Sequence, residues 1–177
     1  MNSRVSKADY YEILGVSRDA SDQEWDDLES KAQRYSQAYE HIAGYACYND
    51  GSVREWQFHA KQIASGKNFE STGGFGPWMV TADEIAPGRE LKLETRLNGE
   101  VVQSSHTGHM IFSIPRLINY ASTIFALTPG DVIITGTPAG VGWSKKPPRF
   151  MKPGDVCEVE IEGLGTLRNP IADEKVG

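Results

Sequence analysis

The sequence predicts an α+β chain that is mostly β, with a short helical segment at its N-terminal end. Three observations carry this. The texture changes near residue 41, from a polar, glycine-poor stretch to short apolar runs punctuated by Gly and Pro. Asn98-Gly99 sits between two such runs, the strongest short-range hairpin signal. Helical periodicity downstream of residue 41 is confined to one strong segment, Ile114–Phe125, with Leu117, Ile118, Ala121 and Ile124 on one face.

The elements follow in order. A short helix is expected across Tyr10–Leu14. Ser21-Asp22-Gln23-Glu24 has capping-box spacing, in which Ser21 and Glu24 satisfy each other's free backbone donors. Behind it Trp25, Leu28, Ala32, Tyr35 and Tyr39 recur at three- and four-residue steps, so an amphipathic helix is expected over about 22–40. From Gly44 onward strands are expected around 78–81, 91–97, 100–103 and 132–135. Pro129-Gly130-Asp131 and Pro153-Gly154-Asp155 are turns, each leading into an apolar strand. The division expected is 1–40, helical, and 41–177, a β-rich domain.

Composition narrows the function. Hydrophobic residues make up 39% and charged residues 24%, a balance that supports a packed core. The net charge of -6 gives no general attraction to phosphate backbones or anionic lipid, so neither a nucleic acid nor a membrane is an expected partner. An anionic small substrate must be held by local cations. Cys47 and Cys157 form no CxxC or zinc-like cluster. No apolar run approaches ~18 residues, and the polar start MNSRVSKADYYE lacks the apolar core of a secretion signal. The expected location is the cytosol, with reduced thiols.

Three clusters look chemical. In Gly44–Gln57, Asp50, Arg54 and Gln57 fall within eight residues after an apolar strand. Asp50 could ligate a hard cation such as Mg²⁺, and Gln57 could orient a substrate oxygen. The same spacing also suits a helix capped by Asn49 or Asp50 with Arg54 in a salt bridge, and spacing alone favours that structural reading. In Ser65–Trp78, Lys67 lies among glycines and hydroxyls, where it can approach an anion; a surface loop fits equally. The segment is not a phosphate loop, because Asn68 follows Lys67. In Ile134–Gly142 a strand ends in small residues and hydroxyls whose N–H groups could cradle a carboxylate, or simply turn the chain. Glu158, Glu160 and Glu162 resemble a metal array but share one strand face, so a solvated outer face is expected. His41, His59, His106 and His109 show no ligand or triad spacing, and the last two are expected in a loop before a strand.

Taken in order, GYACYNDGSVREWQ, GKNFESTGGFGPW, LNGEVVQ, MIFSIPRLINY, TPGDVIITGTPAGVG and KPGDVCEVEIEGLGTLRNP resemble the fumarylacetoacetate hydrolase family over about residues 41–174, three quarters of the chain. The resemblance implies a mixed β-sandwich roll, usually a homodimer, acting on a small anionic oxo acid. It also implies a Mg²⁺, Mn²⁺ or Ca²⁺ ion held by two glutamates and an aspartate. Asp50 falls on that aspartate. Gln57 falls on a substrate-contacting glutamine and Lys67 on a lysine beside the metal, the two catalytic candidates. Ser71 or Thr72 matches a hydroxyl contact, and Thr137 lies in the loop facing substrate. The expected chemistry is metal-dependent hydrolysis of a C–C bond in a 2-oxo or 1,3-diketo acid. The alternatives are a decarboxylase, isomerase or hydratase of the same family, or a non-catalytic remnant.

The family's glutamate pair comes as E-x-E upstream of Gly44, and residues 1–43 contain no such pair. Asp9–Glu24 instead resembles the opening of a DnaJ-type J-domain. It lacks the His-Pro-Asp motif, and Trp25-Asp26-Asp27-Leu28-Glu29 replaces the basic residues such domains carry, so Hsp70 is not an expected partner.

Overall fold

The computed structural model describes residues 37–59, 61 and 63–173. The J-domain-like stretch, the expected helix at Tyr10–Leu14 and most of the expected helix over 22–40 lie outside the described residues; residues 37–40 are helical. Of the described residues, 37–41 and Ile114–Asp131 belong to one compact unit, and Ile42–Ser113 with 132–173 to another.

In the first unit, Ala38 is buried and His41 N–H closes a turn onto its carbonyl at 3.3 Å. The helix here, α2 (Ile114–Ile124), begins at a proline in its second position, where the missing N–H costs nothing. Thr123 and Ser122 hydroxyls donate back to the Asn119 carbonyl at 2.8 and 3.1 Å. Its end passes into the Thr128–Asp131 turn, where Asp131 Oδ2 accepts from the Thr128 N–H at 2.7 Å.

The described residues of the second unit form six strands. β1 (Gly44–Asp50) pairs with β2 (Gly73–Thr81) in a two-stranded sheet. β3 (Lys92–Leu97), β4 (Glu100–His106), β5 (Val156–Ile161) and β6 (Gly165–Pro170) form a four-stranded sheet in the order β4-β3-β5-β6. Every recorded pairing is antiparallel. The short helix α1 (Arg54–Gln57) follows β1. The mostly β, α+β class read from the sequence is the architecture observed.

The turns behave as their residues dictate. Asn98 and Gly99 take φ of 53° and 82°, the double left-handed geometry that lets a two-residue turn follow the strand twist. Asn98 also fastens this hairpin to the Pro153-Gly154-Asp155 turn. Its side-chain Nδ2 donates to Asp155 Oδ1 at 2.8 Å, and its side-chain Oδ1 accepts from the Val156 N–H at 2.8 Å. That donor first, then the Lys152 N–H, holds the Asp155 carboxyl below the usual carboxylate range. A carboxyl whose folded pKa is lowered contributes stability above its unfolded value, about 4, and loses it as pH falls through the folded value. Asn98→Gly keeps the backbone freedom and removes the donor. The acid-unfolding midpoint, followed by circular dichroism, is therefore expected to move to higher pH, with the loss of stability fully present near neutrality and shrinking as pH falls below about 4.

The core lies where the two sheets meet. Cys47 of β1, Val80 of β2, Val159 of β5 and Leu167 of β6 pack with Ile85, Leu91 and Leu164, flanked by Tyr45 and Ile161. Strand alternation puts Cys157, Val159 and Ile161 inward and Glu158, Glu160 and Glu162 outward, as expected. Those glutamates are engaged across the sheet. Arg96 reaches Glu94 at 3.1 Å, Glu158 at 3.6 Å and also Glu160, while Arg168 meets Glu158 at 3.5 Å and Arg89 meets Glu162 at 2.9 Å.

Three local expectations need correction. Val132–Thr135 is not a strand: Val132, Ile133 and Ile134 are 58%, 37% and 46% exposed, and no described backbone hydrogen bond pairs them. Their β-branched composition suits a pleat, but a strand exists only with a neighbour to bond to. Asn49 and Asp50 do not cap α1; both end β1, and the residue ahead of the helix is Val53, with no side-chain cap. His106 closes β4 and His109 sits in the turn after it, so neither precedes a strand as a loop residue.

Candidate active site

The end of β1 is anchored before any functional side chain is placed. Asp50 pairs in register with Gly73 of β2, and the Gly51 N–H donates to the Thr72 carbonyl at 3.1 Å. The chain then turns into α1, whose start is tied by the Val53 N–H to the Gly66 carbonyl at 2.9 Å. Gly66 belongs to a 3-10 turn, Ile63–Lys67, that lies directly on α1. A Cβ on Gly66 would come within 2.7–2.8 Å of Gln57 Cβ, Cα and N, so only glycine permits this approach.

That approach delivers the next residue to the end of β1. Lys67 Nζ stands 2.6 Å from Asp50 Oδ2, with the two side chains 27% and 37% exposed. A half-open ammonium–carboxylate pair is thus presented to solvent at a strand end. On the other side of Gly66, Gln57 is buried, at 7% exposure. Its Oε1 accepts from Arg54 Nη1, which leaves the Nε2 hydrogens to serve a ligand. Arg54, read from spacing as a salt-bridge partner, instead holds an amide and lies 5.8 Å from the centroid of the Trp143 ring.

The hydroxyl candidates are placed differently. The Thr72 hydroxyl donates to the Phe69 carbonyl at 2.6 Å, so its proton closes its own turn. Ser71, at φ 58°, occupies the left-handed position of that turn and is exposed. Thr137 Oγ1 accepts from Gln103 Nε2 at 3.0 Å, and the same amide reaches the Pro138 carbonyl at 2.9 Å. These contacts bind the loop at Thr137 and Pro138 to β4. Gln103 and Trp143 carry no signal in the sequence, because their partners, Thr137 and Arg54, lie 34 and 89 residues away, beyond any local spacing.

The donor set bears on a metal. Mg²⁺ demands near-octahedral oxygen coordination and surrenders water reluctantly. Among the described residues, no group of three His, Cys, Asp or Glu side chains could hold an ion. Asp50 is engaged by Lys67, and the E-x-E run of β5 is tied to Arg96, Arg168 and Arg89. The described residues do not make a complete Mg²⁺, Mn²⁺ or Ca²⁺ site. Titration of the chain with Mg²⁺ or Mn²⁺ by calorimetry is accordingly expected to show no saturable binding tighter than on the order of 1 mM. A tighter isotherm that disappears in Asp50→Ala would contradict this.

The sequence profile described as fumarylacetoacetate (FAA) hydrolase C-terminal matches residues 27–172. The chain belongs to the fumarylacetoacetate hydrolase family. Within that family it is 44% identical over 136 residues to the mitochondrial oxaloacetate tautomerase fahd2 of Xenopus laevis, a match covering 76% of this chain and 43% of that protein. The fumarylacetoacetate hydrolase of psychrophilic Exiguobacterium antarcticum superposes with a TM-score of 0.76 at 40% identity, over 79% of this chain and 50% of that one. The fumarylpyruvate hydrolase of Pseudomonas aeruginosa, solved in complex with Mn²⁺ and pyruvate, gives 0.70 at 30% identity, over 79% and 58%. The family fold is thereby shared, while the chain spans less than half the length of the curated relative it matches. Among the described residues no helix is long and apolar enough to cross a membrane.

Proposed function

We propose that this fumarylacetoacetate hydrolase family chain carries the substrate-facing half of a site that interconverts the keto and enol forms of a short 2-oxo dicarboxylate of the oxaloacetate class. The observation that carries the proposal is the Lys67–Asp50 pair at 2.6 Å beside the buried Gln57 amide. The 44% identity to an oxaloacetate tautomerase supports tautomerisation over the C–C hydrolysis that the family resemblance first suggests.

The reaction moves one proton off the oxygen at carbon 2 and one onto carbon 3, with no bond to carbon broken between heavy atoms. Its difficult moment is the enolate, whose charge gathers on that oxygen. A fixed ammonium placed there stabilises the charge as it develops, and a preorganised donor of this kind is worth about 10²–10³-fold in rate. Lys67 is that donor. Asp50 keeps it oriented, and both are open enough for water to exchange the protons. Gln57 Nε2 donates to a carboxylate of the substrate, fixing the reacting carbons beside Lys67. Ser71, Thr72 and Thr137 remain hydroxyl contacts of the bound acid in this proposal, and a homodimer covers the half-exposed Phe75 and Met79 of β2. No step is routed through a divalent ion, because the described side chains do not assemble its ligands.

The test follows the enol absorbance of freshly dissolved oxaloacetate, with products identified by proton NMR. Enzyme-dependent equilibration with oxaloacetate intact is the expected outcome. Appearance of cleavage products at the same rate would assign hydrolysis instead. Decay at the buffer rate would favour the non-catalytic reading, which the incomplete metal ligand set also supports.

A further inference from the structure

Gln57 is useful to a ligand only if its carboxamide is held one way round. A buried amide can flip, exchanging donor for acceptor, unless a neighbour chooses the orientation. Arg54 makes that choice, since a guanidinium donates and never accepts. Arg54 itself has no carboxylate partner among the described residues. What sits against it is the Trp143 indole, 5.8 Å from the guanidinium carbon to the ring centroid, within the range where a cation is drawn to a ring face.

Trp143 is held firmly enough to act on Arg54. It lies in the Gly142–Ser144 turn, closed by the Lys145 and Arg149 N–H groups onto the Gly142 carbonyl at 3.2 and 2.9 Å. Gly142 packs so closely on the Arg149 carbonyl that a Cβ would come within 1.9 Å of its oxygen. Lys145 Nζ ties the same turn to the Val102 carbonyl of β4 at 3.3 Å. Around the indole stand Phe58 at 5.7 Å and Phe150 at 6.2 Å between ring centroids.

We propose that Trp143 is a positioning residue: it fixes Arg54, and through Arg54 the donor-outward orientation of the Gln57 carboxamide. The ligand consequence rests on the reading that Gln57 faces the oxo acid; the orientation of Gln57 does not. Binding of a small carboxylate at Gln57 therefore depends on an aromatic ring that never touches it. The sequence places that ring 86 residues downstream of the amide it governs.

The experiment uses the full chain and three variants, Trp143→Ala, Trp143→Phe and Gln57→Ala, the last to assign the Gln57 side-chain amide in ¹⁵N-correlated NMR spectra. Pyruvate is the ligand probe. In Trp143→Ala the Gln57 amide pair should lose its single, slowly exchanging signal, and pyruvate should bind about threefold to tenfold more weakly. Trp143→Phe, which retains a ring face, should restore both. An unchanged Gln57 amide in Trp143→Ala, or a Trp143→Phe variant as impaired as alanine, would overturn the proposal. If the parent chain binds no pyruvate, the functional reading fails, while the amide signal still decides the role of Trp143.

Discussion

In the proposed tautomerisation of oxaloacetate, Lys67→Met is expected to lower kcat by about 10²–10³-fold, the range seen when one preorganised donor to a developing oxyanion is removed. Methionine keeps the unbranched length and removes the charge. Asp50 is then left without its 2.6 Å partner, yet at 37% exposure water replaces the lost contact, so folding is barely affected. The effect should fall on kcat more than on KM, because the oxygen carries its full charge only at the top of the barrier. Lys67→Arg tests geometry at constant charge. A planar fork is not a point ammonium, so partial activity is expected. Steady-state rates followed at the enol absorbance decide both. A Lys67→Met enzyme within threefold of the parent, at matched thermal stability, would remove Lys67 from the mechanism.

Leu164→Ala destabilises the second unit by about 2–5 kcal/mol, the range for deleting a buried leucine that leaves a cavity. Leu164 is 3% exposed and sits just beyond β5, where its N–H donates to the Ile161 carbonyl at 2.9 Å. It packs in the cluster with Cys47 of β1, Val80 of β2 and Leu167 of β6, so its loss is felt by both sheets at once. Typical domains have ~5–15 kcal/mol in total, and this one substitution removes a large share. Urea unfolding is expected to show a lower midpoint with an unchanged slope. Leu164→Met, which conserves volume, should cost less than ~1.5 kcal/mol. Equal midpoints for the parent and Leu164→Ala would place this side chain outside the core.

The contrast between these two residues shows what a sequence makes legible. The hairpin at Asn98-Gly99 could be read because a left-handed pair of turn residues is a local requirement. The 114–124 helix could be read because its period is local too. The outward face of Glu158, Glu160 and Glu162 follows from strand alternation alone, although the arginines that hold it were not visible. Val132–Thr135 has equally strong local preferences and is not a strand, because pairing is decided by a distant backbone that is not beside it. The site divides the same way. Spacing favoured Asp50 as a helix cap over a functional carboxylate, and only family resemblance separated Lys67 from an ordinary loop lysine. Their meeting depends on Gly66 lying against α1, a packing fact with no periodic signature. Arg54 was visible as a charge, but its two real partners, an amide three residues on and an indole across the fold, were not.

The central claim is that the Lys67–Asp50 pair stabilises an enolate formed on a 2-oxo acid. The most direct measurement is exchange of the carbon-3 hydrogens of oxaloacetate into D₂O, followed by proton NMR with and without the chain. Exchange well above the buffer rate, abolished in Lys67→Met and retained when EDTA is present, is the predicted result. Exchange at the buffer rate with the parent chain, or acceleration that survives loss of Lys67, would contradict it.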